Sequence, residues 1–235
     1  MKKWMLVPVL AALLLCLFPS ALAKEVKGVE LFNEKVVIKR NENSSGANPN
    51  TKKENEYEIL YMAMLENKSD ADAYVYLRVK FMDAKGTVLL SSAIDHLPRR
   101  VDSGETTVIM ARTYADWSTA RKIHSVEDAQ FSVNGVPKHR DSNPWYPIKA
   151  DFKDDKVTFN FTNTSSSRLE EKSISFYAVL LDQNGGILFC KEMPLNWTIA
   201  PKVTSTFFWP LTREERTVIQ NSGKKATSVE CYQLH

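Results

Sequence analysis

Histidine is the first residue type to examine for metal or acid–base chemistry, and the chain has four: His96, His124, His139 and His235. They stand in separate segments, and no two are spaced i, i+2 or i, i+4. No pair is therefore preset on one strand or helix face to chelate zinc. Two groups of carboxylates come nearest to a calcium loop: Asp70, Asp72 and Asp83, and Asp151, Asp154 and Asp155. Calcium takes about six to eight oxygens, and the adjacent Asp154-Asp155 reads as a solvated turn. There is no Gly-x-Ser-x-Gly motif, and Cys190 has no histidine nearby in the chain. With 8 glycines in the whole chain, no phosphate-cradling loop is present. The expectation is a non-enzymatic protein with no catalytic residue, no metal ligand and no cofactor.

Two other residue types remain. Cys190 and Cys231 both lie in the C-terminal half. In an oxidising compartment they are a candidate disulfide, closing a loop of about 40 residues and stabilising that half by about 2–4 kcal/mol. The alternative is a pair of buried thiols. Among the tryptophans, Trp117, Trp145 and Trp197 fall near strand ends, the linker or loops. Exposed indoles stack on sugars or anchor a protein partner, so these three are candidate contacts; the alternative is that they fill a core or the contact between domains. Trp209 ends the apolar run Phe207-Phe208-Trp209 and is expected in the core.

The elements that position these residues begin after an export signal. Met1-Lys2-Lys3 is positive, Trp4 to Phe18 is apolar apart from a break at Pro8, and Ala21-x-Ala23 supplies small residues before Lys24. That order reads as a secretory signal peptide over residues 1–23, cleaved after Ala23. Cys16 sits inside the apolar stretch behind Leu15 and is read as part of it. The apolar run is shorter than the about 20 residues of a membrane helix, so no transmembrane span is expected after cleavage. The product is expected in the periplasm or outside the cell. The full chain has 31 basic and 28 acidic residues; without Lys2 and Lys3 the balance is +1. No basic run exists to bind nucleic acid. Asn43, Asn67, Asn160, Asn163 and Asn196 head Asn-x-Ser/Thr triplets, read here as turn and strand residues.

The remaining 212 residues carry one pattern twice. A polar turn at Asn67 leads into Tyr74–Phe81, then an Asp83-x-x-Gly86 turn and a second β-rich run. A polar turn at Asn163 leads into Ile174–Leu181, then an Asp182-x-x-Gly185 turn and a second run. Each is a β-hairpin by composition. Further strands follow at Thr107–Met110 and Thr206–Trp209, then helices over Asp116–Ile123 and Thr212–Gln220, then closing strands from Ser125 and Ser228. Thr212 and Glu215 have the spacing of a capping box. Upstream, Val37-Ile38-Lys39 matches Pro147-Ile148-Lys149, and Tyr57–Glu66 matches Lys156–Thr162. The first copy alone holds an insert, residues 41–56, rich in Asn, Ser, Lys and Glu and expected to be a mobile loop. The proline-bearing stretch 137–146, which follows Gly135, reads as a linker. The expected domains are 24–136 and 147–235.

About six short strands per unit, with polar turns every 8–12 residues or so, predict an all-β fold of two tandem immunoglobulin-like antiparallel sandwiches, each with one short helix. Val75, Leu77, Val79 and Phe81 alternate with Arg78 and Lys80, giving one apolar and one solvated face. Val79-Lys80-Phe81-Met82-Asp83 and Ala178-Val179-Leu180-Leu181-Asp182 resemble the central strand and turn of the bacterial FxLYD-type domains. The resemblance covers residues 57–112 and 157–209; Met82 and Leu181 stand where that family has Tyr. It implies a small immunoglobulin-like sandwich on an exported protein, a binding or scaffolding role, and no catalytic residues. The functional expectation is an envelope or extracellular module that binds another protein, with a carbohydrate-binding module using exposed tryptophans as the alternative.

Overall fold

A computed structural model describes residues 27–41, 55–93, 99–132 and 146–234. The signal peptide, His96, His139, His235, Trp145, and most of the insert and linker lie outside the described residues. Among the described residues the fold is all-β, with two sheets facing each other in each of two domains and one short helix per domain. In the first domain, β1 (Val29–Arg40), β2 (Tyr57–Asn67) and β6 (Thr106–Ala115) form one sheet in the order β1-β2-β6. The facing sheet centres on β3 (Ala73–Met82), which pairs with β4 (Val88–Ala93), β5 (Arg99–Val101) and β7 (Ser125–Ser132). Helix α1 (Trp117–Ala120) links β6 to β7. In the second domain, β8 (Ile148–Lys153), β9 (Lys156–Thr162) and β12 (Thr204–Pro210) form one sheet. β10 (Ser175–Asp182) lies between β11 (Ile187–Pro194) and β13 (Ala226–Gln233) in the other, and α2 (Arg213–Asn221) links β12 to β13. Every pairing is antiparallel.

One buried asparagine organises the same turn in each domain. Asn67 Nδ2 donates to the carbonyls of Ala71, Val101 and Asp102, and its Oδ1 accepts from Ser69 N and Oγ. Asn163 Nδ2 donates to Ser167, Ile199 and Ala200, and its Oδ1 accepts from Ser165 N and Oγ. Both side chains are fully buried. An amide has a donor and an acceptor end, so one residue ties the turn to the chain entering the β6 or β12 strand. The hairpins also match. Asp83 Oδ1 accepts from Lys85 N and Thr87 N, and Asp182 Oδ1 from Asn184 N and Gly186 N. A register shift falls at Phe81/Met82 in one and Leu180/Leu181 in the other.

The first helix is shorter than expected, and the second has the expected length. α1 is one turn, capped by Asp116, whose Oδ1 accepts from Thr119 N at 2.7 Å. α2 begins at the expected capping box, with Thr212 and Glu215 bonded reciprocally. Glu215 does more than cap. It is buried, takes a bond from Trp209 Nε1 at 3.0 Å and pairs with Lys191 at 2.9 Å.

The two domains share a third apolar layer. Ile59, Tyr61, Ala63 and Leu65 of β2 point into the first domain's own core. The alternate residues Leu60, Met62 and Met64, with Val37 of β1 and Val108 and Met110 of β6, join the core of the second domain. β2 is thus buried on both faces, which explains its nearly unbroken apolar run. The matching face belongs to β10 and β11. Phe176 and Phe189 point inward to Phe159 and Trp209, so Tyr177, Val179 and Cys190 point outward by alternation. All three are buried. Fully burying each such side chain stabilises the contact by about 1.5–3 kcal/mol.

Counting back from the shared asparagines along β2 and β9, and from the shared turn aspartates Asp83 and Asp182 along β3 and β10, shows which face is used in each domain. Where the first domain has Met62, Met64, Val108 and Met110, the second has Thr158, Asn160, Thr206 and Phe208. Where the second has Tyr177, Val179 and Cys190, the first has Arg78, Lys80 and Ser91. The contact therefore joins unlike faces, head to tail, and the two outer faces of the stack are mostly polar, with Phe208 the exposed aromatic on one of them. Such faces cap a stack rather than extend it.

Candidate functional site

The structure separates the three candidate tryptophans. Trp197 is half-buried and meets Phe207 edge-on at 4.8 Å, so it packs on the second domain's core. Trp145 lies outside the described residues. Trp117 is 52% exposed. It opens α1, immediately after the Asp116 cap, and its ring lies 5.1 Å from that of Tyr57 at an angle of 37°. Tyr57 starts β2 opposite Ala115, which fixes the platform under the indole. Tyr114, also exposed, stands on β6 opposite Glu58. Beside it Glu58 holds Lys39 at 2.7 Å and Arg112 at 3.2 Å. The first domain thus ends in exposed aromatic rings beside the half-buried Tyr57 and a compact ion-pair cluster. Trp209 is buried, as expected.

A second exposed aromatic lies on the outer face of the β8-β9-β12 sheet. Phe208 is 56% exposed, with Lys156 Nζ 4.8 Å from its ring centre. Around it are Thr158, Asn160, Thr162, Thr204 and Thr206. Thr206 donates to Asn160 at 2.7 Å, and the Thr162 and Thr204 hydroxyls meet at 2.9 Å. Composition did not single out Phe208, because it sits between two residues that do fill the core. Strict alternation along Phe207-Phe208-Trp209 was the available signal.

The two cysteines are not bonded to each other. Cys190 is opposite Val179 and Cys231 opposite Ala178, on the two flanks of β10. Neighbouring β10 residues point to opposite faces, so the thiols do too. Two strand spacings separate their backbones by roughly 9–10 Å, past the about 7 Å that a disulfide spans. The candidate bridge is corrected on that geometry. Burial, then the Glu230 charge, pushes the Cys231 thiol up to about 12, so its thiolate is scarce at neutral pH.

Two of the six carboxylates weighed for calcium have other partners. Asp72 takes Arg100 at 2.8 Å and Ser103 N at 3.1 Å, while Asp83 closes its own turn. No group of three or more His, Cys, Asp or Glu residues able to hold a metal occurs among the described residues. No described helix is long and apolar enough to cross a membrane.

The turn at Asp182 is where the domains meet by polar contact. Lys224 donates to Asp182 Oδ2 at 2.5 Å. With the Gly186 and Asn184 amides, that bond holds the Asp182 carboxyl down to about 2. A Cβ on Gly186 would lie 2.9 Å from the same carboxylate, so the position has no room for a side chain. From the other domain, Asn33 sits at the β1 bulge with φ +51° and donates to Gly185 O at 3.1 Å. Lys35 follows it; burial, then Lys224, lowers its pKa, and Asp182 opposes them.

No family model matches the chain, and no curated protein matches it. Among solved structures, a red sea bream transglutaminase aligns with 78% of this chain at 13% identity and a TM-score of 0.23. A β-glucuronidase of glycoside hydrolase family 2 aligns with 66% at 10% identity and a TM-score of 0.16. The chain spans 28% and 20% of those proteins. At those scores neither likeness bears on fold family or activity.

Proposed function

We propose that this chain is an exported, non-enzymatic binding module of the bacterial envelope that engages another protein through the Trp117 end of its first domain. The leader over residues 1–23 supports export, and the resemblance to FxLYD-type domains supports a duplicated immunoglobulin-like unit. The observation that carries the reading is the exposed indole of Trp117, held on Tyr57 and used by neither core. Pre-positioned aromatic side chains of this kind dominate interface energies. The apolar contact between domains makes the pair one rigid support for that residue. Crosslinking the tagged mature protein in its native envelope is expected to capture one stoichiometric protein. Trp117→Ala should lose it while the melting temperature holds. Capture that is indifferent to Trp117→Ala overturns the reading.

Phe208 on its Thr- and Asn-lined face favours a second reading, carbohydrate binding by ring stacking with flanking hydroxyl and amide groups. Cell-wall glycans that protect Phe208 and its Thr neighbours in NMR titration would support it. Titration with no shift on that face removes it.

A further inference from the structure

A cleft of about 200 Å³ opens on the second domain beside α2. Its floor is apolar, formed by Leu211, Ile219 and Phe152, which belong to or pack on the second domain's core. Its rim is cationic: Arg216, Lys224 and Lys225 line it, against one carboxylate, Asp155. Lys224 is engaged by Asp182. Arg216, which lines the cleft, donates Nη1–H to Leu211 O at 2.6 Å, and its guanidinium has no other acceptor among the described residues. Lys225 is exposed.

We propose that this cleft binds a short aliphatic carboxylate, with the alkyl chain on Leu211, Ile219 and Phe152 and the carboxylate between Arg216 and Lys225. Size and charge select this class. At roughly 30 Å³ per water-sized group, the space holds six or seven such groups, which suits a chain of about six carbons. The apolar floor rejects a small inorganic anion, which gains nothing there. Two cations with no carboxylate partner among the described residues, Arg216 and Lys225, against one acid, disfavour an alkyl amine. An apolar pocket with a few convergent polar groups is the usual form of a small-molecule site.

The test is an NMR titration of the whole mature protein with hexanoate, hexanol and hexylamine. Hexanoate is expected to give saturable shifts at Leu211, Arg216, Ile219 and Lys225. Hexanol and hexylamine should bind about tenfold more weakly or less, since a charge-assisted hydrogen bond contributes about that factor. Lys225→Glu, at an exposed position, should weaken hexanoate by about tenfold or more with the fold intact. Hexanoate shifts that do not saturate, hexanol binding equal to hexanoate, or an unchanged affinity in Lys225→Glu would each overturn the proposal.

Discussion

Replacing Asn163 by alanine tests whether one buried amide holds the second domain's turn. Its side chain makes three donor contacts from two N–H groups and accepts from Ser165 N and Oγ. Some partners keep a second bond: Ser167 O still receives Ser165 Oγ, and Ile199 O still receives Leu169 N. At a net of about 1 kcal/mol per bond, and more for a buried group left unpaired, the loss comes to about 3 kcal/mol. With a urea slope near 2 kcal/mol/M, the midpoint should fall by about 1.5 M. Asn163→Asp sharpens the test. It keeps the shape and the acceptor oxygen but turns a second oxygen toward three carbonyls. Near neutral pH it should cost at least as much as alanine. Its folded pKa should be raised, so that stability is present in acid and lost as pH rises through that value. Urea titrations of both variants at several pH values are the assay. A loss below about 0.5 kcal/mol for alanine, smaller than one ordinary bond, or an aspartate variant without pH dependence, refutes the reasoning.

Other consequences follow from the contact between domains. Met62 lies in the first domain but touches the second domain's core, so Met62→Ala should cost about 2–5 kcal/mol. It should also raise amide exchange along β11, in the domain it does not belong to; unchanged β11 exchange contradicts the contact. Asp182 is held near 2, below its ordinary 3.8. The unfolded chain binds more protons between those values, so this contribution is complete above about pH 4 and is lost as pH falls through 2. Asp182→Asn should flatten that part of the acid unfolding curve; a curve of unchanged slope would show that the Lys224 pair carries none of it.

Much of this architecture is legible in the sequence. The alternation of Val75, Leu77, Val79 and Phe81 placed β3, and the Thr212–Glu215 spacing placed the start of α2. Asn67 and Asn163 marked polar turns, but nothing in a single sequence distinguishes an exposed turn asparagine from one with every hydrogen bond satisfied inside the protein. The run Ile59–Leu65 is buried on both faces, and its unbroken apolar character was the signal available for that. It could not say that the second face meets the other domain, because periodicity reports burial and not the partner. Cys190 and Cys231 failed for a related reason. Both lie on neighbours of β10, yet a one-residue difference in register puts them on opposite faces. Trp197 was read by type and turn position, whereas packing against Phe207 decides its role.

The most direct test of the stacked architecture is the reactivity of Cys190. The thiol is buried where the outer face of β10 and β11 meets the first domain. In a Cys231→Ser variant, a thiol reagent should not label Cys190 until the protein unfolds, and labelling should track global denaturation. Labelling of the native protein at the rate of an exposed thiol would show that the domains do not stand face to face.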